Sequence, residues 1–168
     1  MSLFPNARHS FTDIACRKGD LLLYSGVSFE LHSGEMVWLK GANGVGKSTL
    51  MRQLAGLLAL DWGQVAWDQS VSQDVFQGEE APLHYLGHDN ALDAELTVKQ
   101  SLNFWADLHG ASQERRAVAT EALRLESFEN TPCQFLSSGQ KRRTALARLL
   151  LSRKAVWLLD EPFVGLDQ

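Results

Sequence analysis

At 168 residues, with 45% apolar and 21% charged side chains, the chain can bury one hydrophobic core and has the composition of an ordinary globular domain. Its formal net charge of -4 argues against nucleic acid as its main partner, because phosphate neutralisation needs a clustered basic face. No apolar run reaches the ~18 residues of a membrane-spanning helix, and the first residues lack the charged start and apolar stretch of a signal peptide, so a cytoplasmic protein is expected. Cys16 and Cys133 have no CxxC or His partner at metal-ligand spacing and are expected as buried apolar fillers.

Along the chain, residues 10–16 and 27–31 read as short strands, and 32–35 as a turn feeding the apolar run 36–39, which is expected as a buried strand. A glycine-rich loop follows. Residues 49–58 place Leu50, Leu54, Leu57 and Leu58 at helical spacing, and 64–67 return to strand composition. The polar stretch 70–82 is expected as a long loop before a strand at 83–86. Residues 97–109 and 113–125 are predicted as amphipathic helices joined through Gly110, with Phe104, Trp105 and Leu108 packing within the domain. Residues 139–151 form a further predicted helix, and 155–159 an apolar strand that ends in Asp160 and Glu161. Trp38, Trp67 and Trp157 fall inside predicted strands, where core packing accounts for them.

Gly41, Ala42, Asn43, Gly44, Val45, Gly46, Lys47 and Ser48 match the phosphate-binding pattern GxxxxGKS between a predicted strand and a predicted helix, with Thr49 following inside that helix. The glycines let successive backbone amides point at phosphates, and the helix N-terminus adds its dipole. Lys47 is expected on the β and γ phosphates, and Ser48 as a Mg2+ ligand. The strand 155–159 would deliver Asp160 to the same metal, with Glu161 placed as base for a water attacking the γ-phosphate of ATP.

The segment Leu136, Ser137, Ser138, Gly139, Gln140, followed by Lys141, Arg142 and Arg143, resembles the signature motif of ATP-binding cassette (ABC) proteins, and Gly165-Leu166-Asp167 resembles the D-loop of that family. The resemblance implies an α/β P-loop NTPase with a RecA-like core, an N-terminal antiparallel β region and an inserted helical subdomain. Within one domain, the core would be 1–88 and 136–168 and the helical subdomain about 89–135. It also implies a head-to-tail homodimer in which Ser137, Gly139 and Gln140 of one subunit meet the nucleotide of the other. From the residues alone, Ser137 reads first as a simple helix cap, and the full set of motifs turns the reading toward a nucleotide contact.

Tyr85 to His88 (YLGH), Glu95 to Val98 (ELTV) and Arg142 to Phe163 resemble, more narrowly, the haem-exporter ATPases of cytochrome c maturation. There His88 would stand where most cassettes carry the glutamine that senses the metal or γ-phosphate. The same resemblance implies transmembrane exporter subunits as partners, a peripheral position on the cytoplasmic side of the inner membrane, and ATP with Mg2+ as cofactors. Soluble cassette ATPases acting on DNA or ribosomes fit less well, since no second P-loop or heptad arm occurs.

Three features depart from the family pattern. The last strands and switch histidine expected after the D-loop are not among these residues, which leaves a non-catalytic nucleotide-binding remnant as an alternative function, beside an ATPase subunit of an ABC complex with another substrate. The adenine-stacking aromatic aligns near Arg17 or Lys18, and an arginine plane could replace it, with Tyr24 expected to face the core. Ser138 stands where the first signature glycine is usual.

Overall fold

A computed structural model describes residues 8–67, 70–71, 83–152 and 154–165. They form two compact units that divide between Leu83 and His84. Predicted features at 1–7, 72–82 and Leu166-Asp167 lie outside the described residues.

The first unit is built on an antiparallel sheet of strand order β2-β1-β3-β4, with β1 at Arg8–Lys18, β2 at Leu21–His32, β3 at Trp62–Trp67 and β4 at Ser70–Val71. The β1–β2 hairpin closes from Lys18 to Leu21 and extends, through three register shifts between Phe11 and Arg17, to Arg8 opposite His32. In β1, His9 and Phe11 are buried, then Ile14 and Cys16. The phase of burial changes between Phe11 and Ile14, where the register shifts and Asp13 takes a left-handed φ of 51°. The extra residue at this bulge keeps both pairs on the core face, which a regular pleat could not do. The Asp13 amide donates to Ser28 Oγ at 2.8 Å and holds the bulge against β2. Phe11 stacks on Phe29 at 4.3 Å and meets Trp67 edge-on at 5.3 Å.

Helix α1 spans Lys47–Leu54. It ends four residues earlier than its apolar spacing predicts, because the chain turns at Gly56 (φ 64°) and leaves Leu57 and Leu58 exposed. The run 36–39 is not a strand. Met36 is 87% and Trp38 74% exposed, and Lys40 Nζ lies over the Trp38 ring at 4.4 Å. An apolar composition gives strand propensity, but a ladder partner makes the strand, and none of the described strands pairs with this segment. Residues 70–71, predicted as loop, pair with Trp67 and Ala66 as β4.

The second unit contains β5 (Leu83–Leu86, whose first residue is the last of the first unit), α2 (Val98–His109), α3 (Gln113–Ala122), α4 (Ser138–Leu151) and β6 (Val156–Leu159), with β5 and β6 paired. Thr97 begins α2 with a capping box: its hydroxyl accepts from the Gln100 amide, and the Gln100 side chain accepts from the Thr97 amide at 2.8 Å. α3 stops before the predicted 125 because Arg124 is left-handed (φ 51°), which turns Leu125 into the core. Val98, Leu102, Ala106, Ala119, Leu125, Phe128, Cys133, Leu136, Ala147 and Leu151 form that core. A second, smaller cluster joins Ala145 and Leu149 of α4 to Leu86. Both cysteines are free and buried.

Packing of the α2 aromatics is only partly as predicted. Trp105 packs on the helical core, whereas Phe104 (55% exposed) and Leu108 (60%) lie one turn apart on the outer side. Trp157 is also partly exposed, because β6 alternates, with Val156 and Leu158 buried, and has β5 alone as partner among the described residues.

His84 of β5 lies 5.9 Å from the ring of His109, which is itself stacked near Trp105. Burial, reinforced by the charges of Arg148, His109 and Lys154, pushes the His84 pKa down from 6.5 to about 4. The folded protein therefore keeps His84 neutral while the unfolded chain takes up a proton. The stabilising difference is complete above pH 6.5 and is lost as pH falls toward 4. His84→Phe is expected to flatten the loss of thermal stability over that window, as followed by melting temperature against pH. An unchanged pH slope would show that His84 does not contribute.

Candidate nucleotide-binding site

The loop 41–46 leads directly into α1, whose N-cap, Gly46, has φ 104°. Gly44 is also left-handed, at φ 81°. The first helical hydrogen bond runs from the Leu50 amide to Gly46 O at 2.8 Å, and no side chain caps the helix. Its leading amides and the positive end of its dipole are thereby left for an anion. Lys47 Nζ folds back over the loop and donates to Gly41 O and Ala42 O, each at 2.9 Å. The ammonium is thus held beside the amides by the loop itself. Ser48 is exposed and Thr49 half-buried one and two positions further on.

Tyr24 supports this loop from β2. A Cβ on Gly46 would lie 3.0 Å from Tyr24 Cδ1 and Cε1, so only glycine fits both the left-handed cap and the ring beneath it. The Tyr24 hydroxyl donates to Gln53 Oε1 at 2.7 Å, and Gln53 Nε2 donates to Ala59 O at 2.9 Å, which ties the far end of α1 to the same ring. Sequence reading placed Tyr24 toward the core without this role. The signal available was a tyrosine in an otherwise aliphatic run, which needs a polar partner for its hydroxyl. Arg17 and Lys18 are exposed at the end of β1, with the Arg17 amide donating to Asp61 Oδ2 at 2.8 Å.

In the second unit, β6 ends at Asp160 and Glu161. The Asp160 amide donates to Leu86 O at 2.8 Å, and its residue is 8% exposed, whereas Glu161 faces solvent. Glu161 holds φ 49°, a left-handed conformation that costs a non-glycine residue about 1–2 kcal/mol. The turn swings its carboxylate toward His88, whose Nδ1 lies 3.6 Å from Glu161 Oε2. His88, Asp160 and Glu161 are therefore brought together. Arg142, which the sequence showed only as part of a basic run, lies buried behind them and donates to the Asp160, Glu161, Pro162 and Gly87 carbonyls.

Ser137, Gly139 and Gln140 open α4. Ser137 Oγ accepts from the Gln140 amide at 3.2 Å, and Gln140 Oε1 accepts from the Ser137 amide at 2.8 Å. Both side chains are thus engaged in a capping box at the helix N-terminus. Gly139 packs against the backbone of Gly165, so that a Cβ on Gly139 would stand 2.6 Å from Gly165 O.

A family model described as ABC transporter matches residues 24–164, the stretch that holds both groups of residues. The chain belongs to the ABC transporter family. It is an ATPase subunit of that family and resembles a set of curated proteins over most of its length. The cytochrome c biogenesis ATP-binding export protein CcmA of Chelativorans sp. is 42% identical over 156 residues, 93% of this chain and 76% of that protein. The corresponding protein of Vibrio cholerae is 38% identical over 153 residues, 90% of this chain and 74% of that one. Among solved structures, a putative ABC transporter ATP-binding protein from Pyrococcus furiosus has the same fold, with a TM-score of 0.83 at 22% identity over 96% of this chain and 78% of that one. A bacterial Atm1-family ABC exporter with ATP bound also has a TM-score of 0.83, at 25% identity over 97% of this chain and 30% of the exporter. Among the described residues of this ABC ATPase, no helix is long and apolar enough to cross a membrane.

Gly139→Ala is expected to lower unfolding stability by about 1–3 kcal/mol, the usual cost of forcing a methyl against backbone. Denaturant unfolding measures it, and an unchanged midpoint would mean that the Gly139–Gly165 contact is not maintained in solution.

Proposed function

We propose that this ATPase subunit binds ATP with Mg2+ and powers an exporter that serves cytochrome c maturation, with haem as the species moved or released. It works as a head-to-tail dimer, held peripherally on the cytoplasmic face of the inner membrane by transmembrane subunits. The observation that carries the reading is the uncapped N-terminus of α1, with Lys47 tethered beside it by Gly41 and Ala42. The names and the roughly three-quarter coverage of the curated relatives support the exporter assignment.

The residues fit these cofactors. The amides of Gly44, Val45, Gly46 and Lys47, with Ala42 and Asn43 shaping the loop from Gly41, suit a chain of phosphates, and the Lys47 ammonium neutralises it. The available metal ligands, the Ser48 hydroxyl and the Asp160 carboxylate, are hard oxygens of the kind Mg2+ prefers. Bound Mg2+ supplies charge neutralisation on the phosphate oxygens. Thr49 extends the same helix turn. Glu161 accepts the proton of the attacking water, and its exposed carboxylate at the strand end is suited to reach one. His88 shares that carboxylate's surroundings at 3.6 Å, so it orients Glu161 and reports its state to the membrane subunits. Ser137, Gly139 and Gln140 present the α4 N-terminus to the γ-phosphate held by the second subunit.

Lys47→Ala is expected to abolish high-affinity ATP binding, measured by nucleotide titration, whereas Glu161→Gln should retain binding and cut hydrolysis to a small residual rate. Normal turnover by Glu161→Gln would reject Glu161 as base. In cells that depend on this protein, Glu161→Gln should leave c-type cytochromes without covalently attached haem, scored by haem staining after denaturing electrophoresis. Full haem attachment there would reject the exporter reading.

A further inference from the structure

In the second unit, three segments with proposed roles converge on one side chain. Arg142 lies in α4, three residues after Gly139, and is 3% exposed. Every nitrogen of its guanidinium is engaged. Nη2 donates to Asp160 O at 2.7 Å and Glu161 O at 2.9 Å, and Nε to Pro162 O at 3.1 Å. Nη1 donates to Gly87 O at 2.9 Å and to Asn90 Oδ1 at 3.3 Å. Gly87 and Asn90 flank His88 in sequence.

Four of these five acceptors are backbone carbonyls at the points where β5 and β6 run out of ladder partners. A carbonyl leaving a sheet end must find a donor or water. Here one rigid fork supplies the donors for both strand ends, and it is preorganised because the guanidinium is planar. The segment it holds includes Glu161, whose left-handed φ of 49° is not a backbone minimum that the residue would choose unaided. The bonds to the carbonyls of Asp160, Glu161 and Pro162 bracket that residue on both sides.

We infer that Arg142 is a positioning residue for hydrolysis: from the signature helix it sets the Glu161 turn and the His88 loop relative to each other, so that the carboxylate and the imidazole stand at 3.6 Å. Buried and bonded to the carbonyls on either side of Glu161, it acts through that residue. The inference rests on the proposed role of Glu161 as base, and it makes a definite demand on the substitution chosen. Lysine keeps the charge and much of the length but offers a single nitrogen, which cannot span acceptors on two strand ends. A positioning role therefore fails with lysine, whereas a requirement for positive charge alone is met by it.

The test uses the ATPase assembled with its membrane subunits and compares Arg142→Lys, Arg142→Gln and Glu161→Gln for kcat, for KM and for the affinity of ATP measured without turnover. If Arg142 positions Glu161, both Arg142 variants lose at least ~10-fold in kcat, the loss expected for a misplaced general base. ATP affinity should stay within about two-fold of the parent, since the phosphate-binding loop is untouched, and Arg142→Lys should not rescue turnover. In the Glu161→Gln background, adding Arg142→Lys should produce no further fall in residual turnover, because both changes remove the same function. Unchanged kcat in either folded Arg142 variant overturns the inference, as does rescue by lysine, a multiplicative loss in the double variant, or failure of both variants to fold. Normal turnover by Glu161→Gln alone is a separate result, which rejects the role of Glu161 rather than that of Arg142.

Discussion

Buried arginine on α4 is the constraint on which the second unit depends. A guanidinium cannot shed its charge in a protein, so removing it from water is tolerable only where fixed acceptors replace the lost hydration. Arg142 and Arg148 are both nearly fully buried, and burial is the main influence lowering the pKa of each. Neither is compensated chiefly by a carboxylate. Arg148 donates to the carbonyls of Asn90 and Ala91 and covers the Trp105 ring at 4.9 Å, and Arg142 gathers the carbonyls at the ends of β5 and β6. Carbonyl dipoles satisfy the cation without creating a buried ion pair, and they bind it to backbone rather than to mobile side chains. The small residues between the arginines let this happen. Ala145 and Ala147 are fully buried on different faces of α4, one toward Leu86 and one in the helical core, so the helix approaches both neighbours closely. From α3, Arg115 completes the arrangement by donating to Leu150 O and Ser152 O at the C-terminal end of α4.

The first unit solves a different problem, which is to leave backbone donors unpaired at one place without losing the fold. Exposed amides at the start of α1 are a liability to the isolated domain and an asset to an anion site. The surrounding contacts confine that liability. Tyr24 packs beneath Gly46 and reaches Gln53, which is itself buried and bonded to Ala59, so α1 is anchored from a side that does not face the open amides. Lys47 meanwhile satisfies two loop carbonyls, those of Gly41 and Ala42. The sheet beneath keeps its own core through the bulge at Asp13, which allows β1 to change phase while retaining both pairs of buried residues.

How far each feature could be read from sequence follows from whether it is written in side chains or in backbone. The loop 41–48 was legible because its chemistry requires particular residues at fixed spacing. The start of α2 at Thr97 was legible because a capping residue is a local signal. The run 36–39 misled, since its apolar residues record a propensity and not the partner that would realise it. The convergence on Arg142 could not be read at all. Most of its acceptors are carbonyls, which every residue carries, and a basic run after a signature motif looks the same whether its arginines are solvated or buried. The left-handed turn at Glu161 is hidden for a related reason: glutamate has no preference for that conformation, which the surrounding bonds impose.

The same distinction explains the unusual Ser138. Two small positions of the signature lie against Gly165, yet they differ in what they permit. A side chain at 138 is accommodated because Gly165, with φ 79° and no Cβ, yields the space: a Cβ placed there would stand 3.3 Å from Ser138 Oγ. Position 139 meets the Gly165 carbonyl head-on at 2.6 Å, and a carbonyl cannot be removed by substitution. Serine at the first of these positions is therefore accommodated beside Gly165, whereas the second position is fixed as glycine by backbone geometry. Ser138 and Gly165 pack closely, at 3.3 Å from a Cβ placed on Gly165 to Ser138 Oγ, and the left-handed φ of 79° at 165 favours glycine there whatever stands at 138.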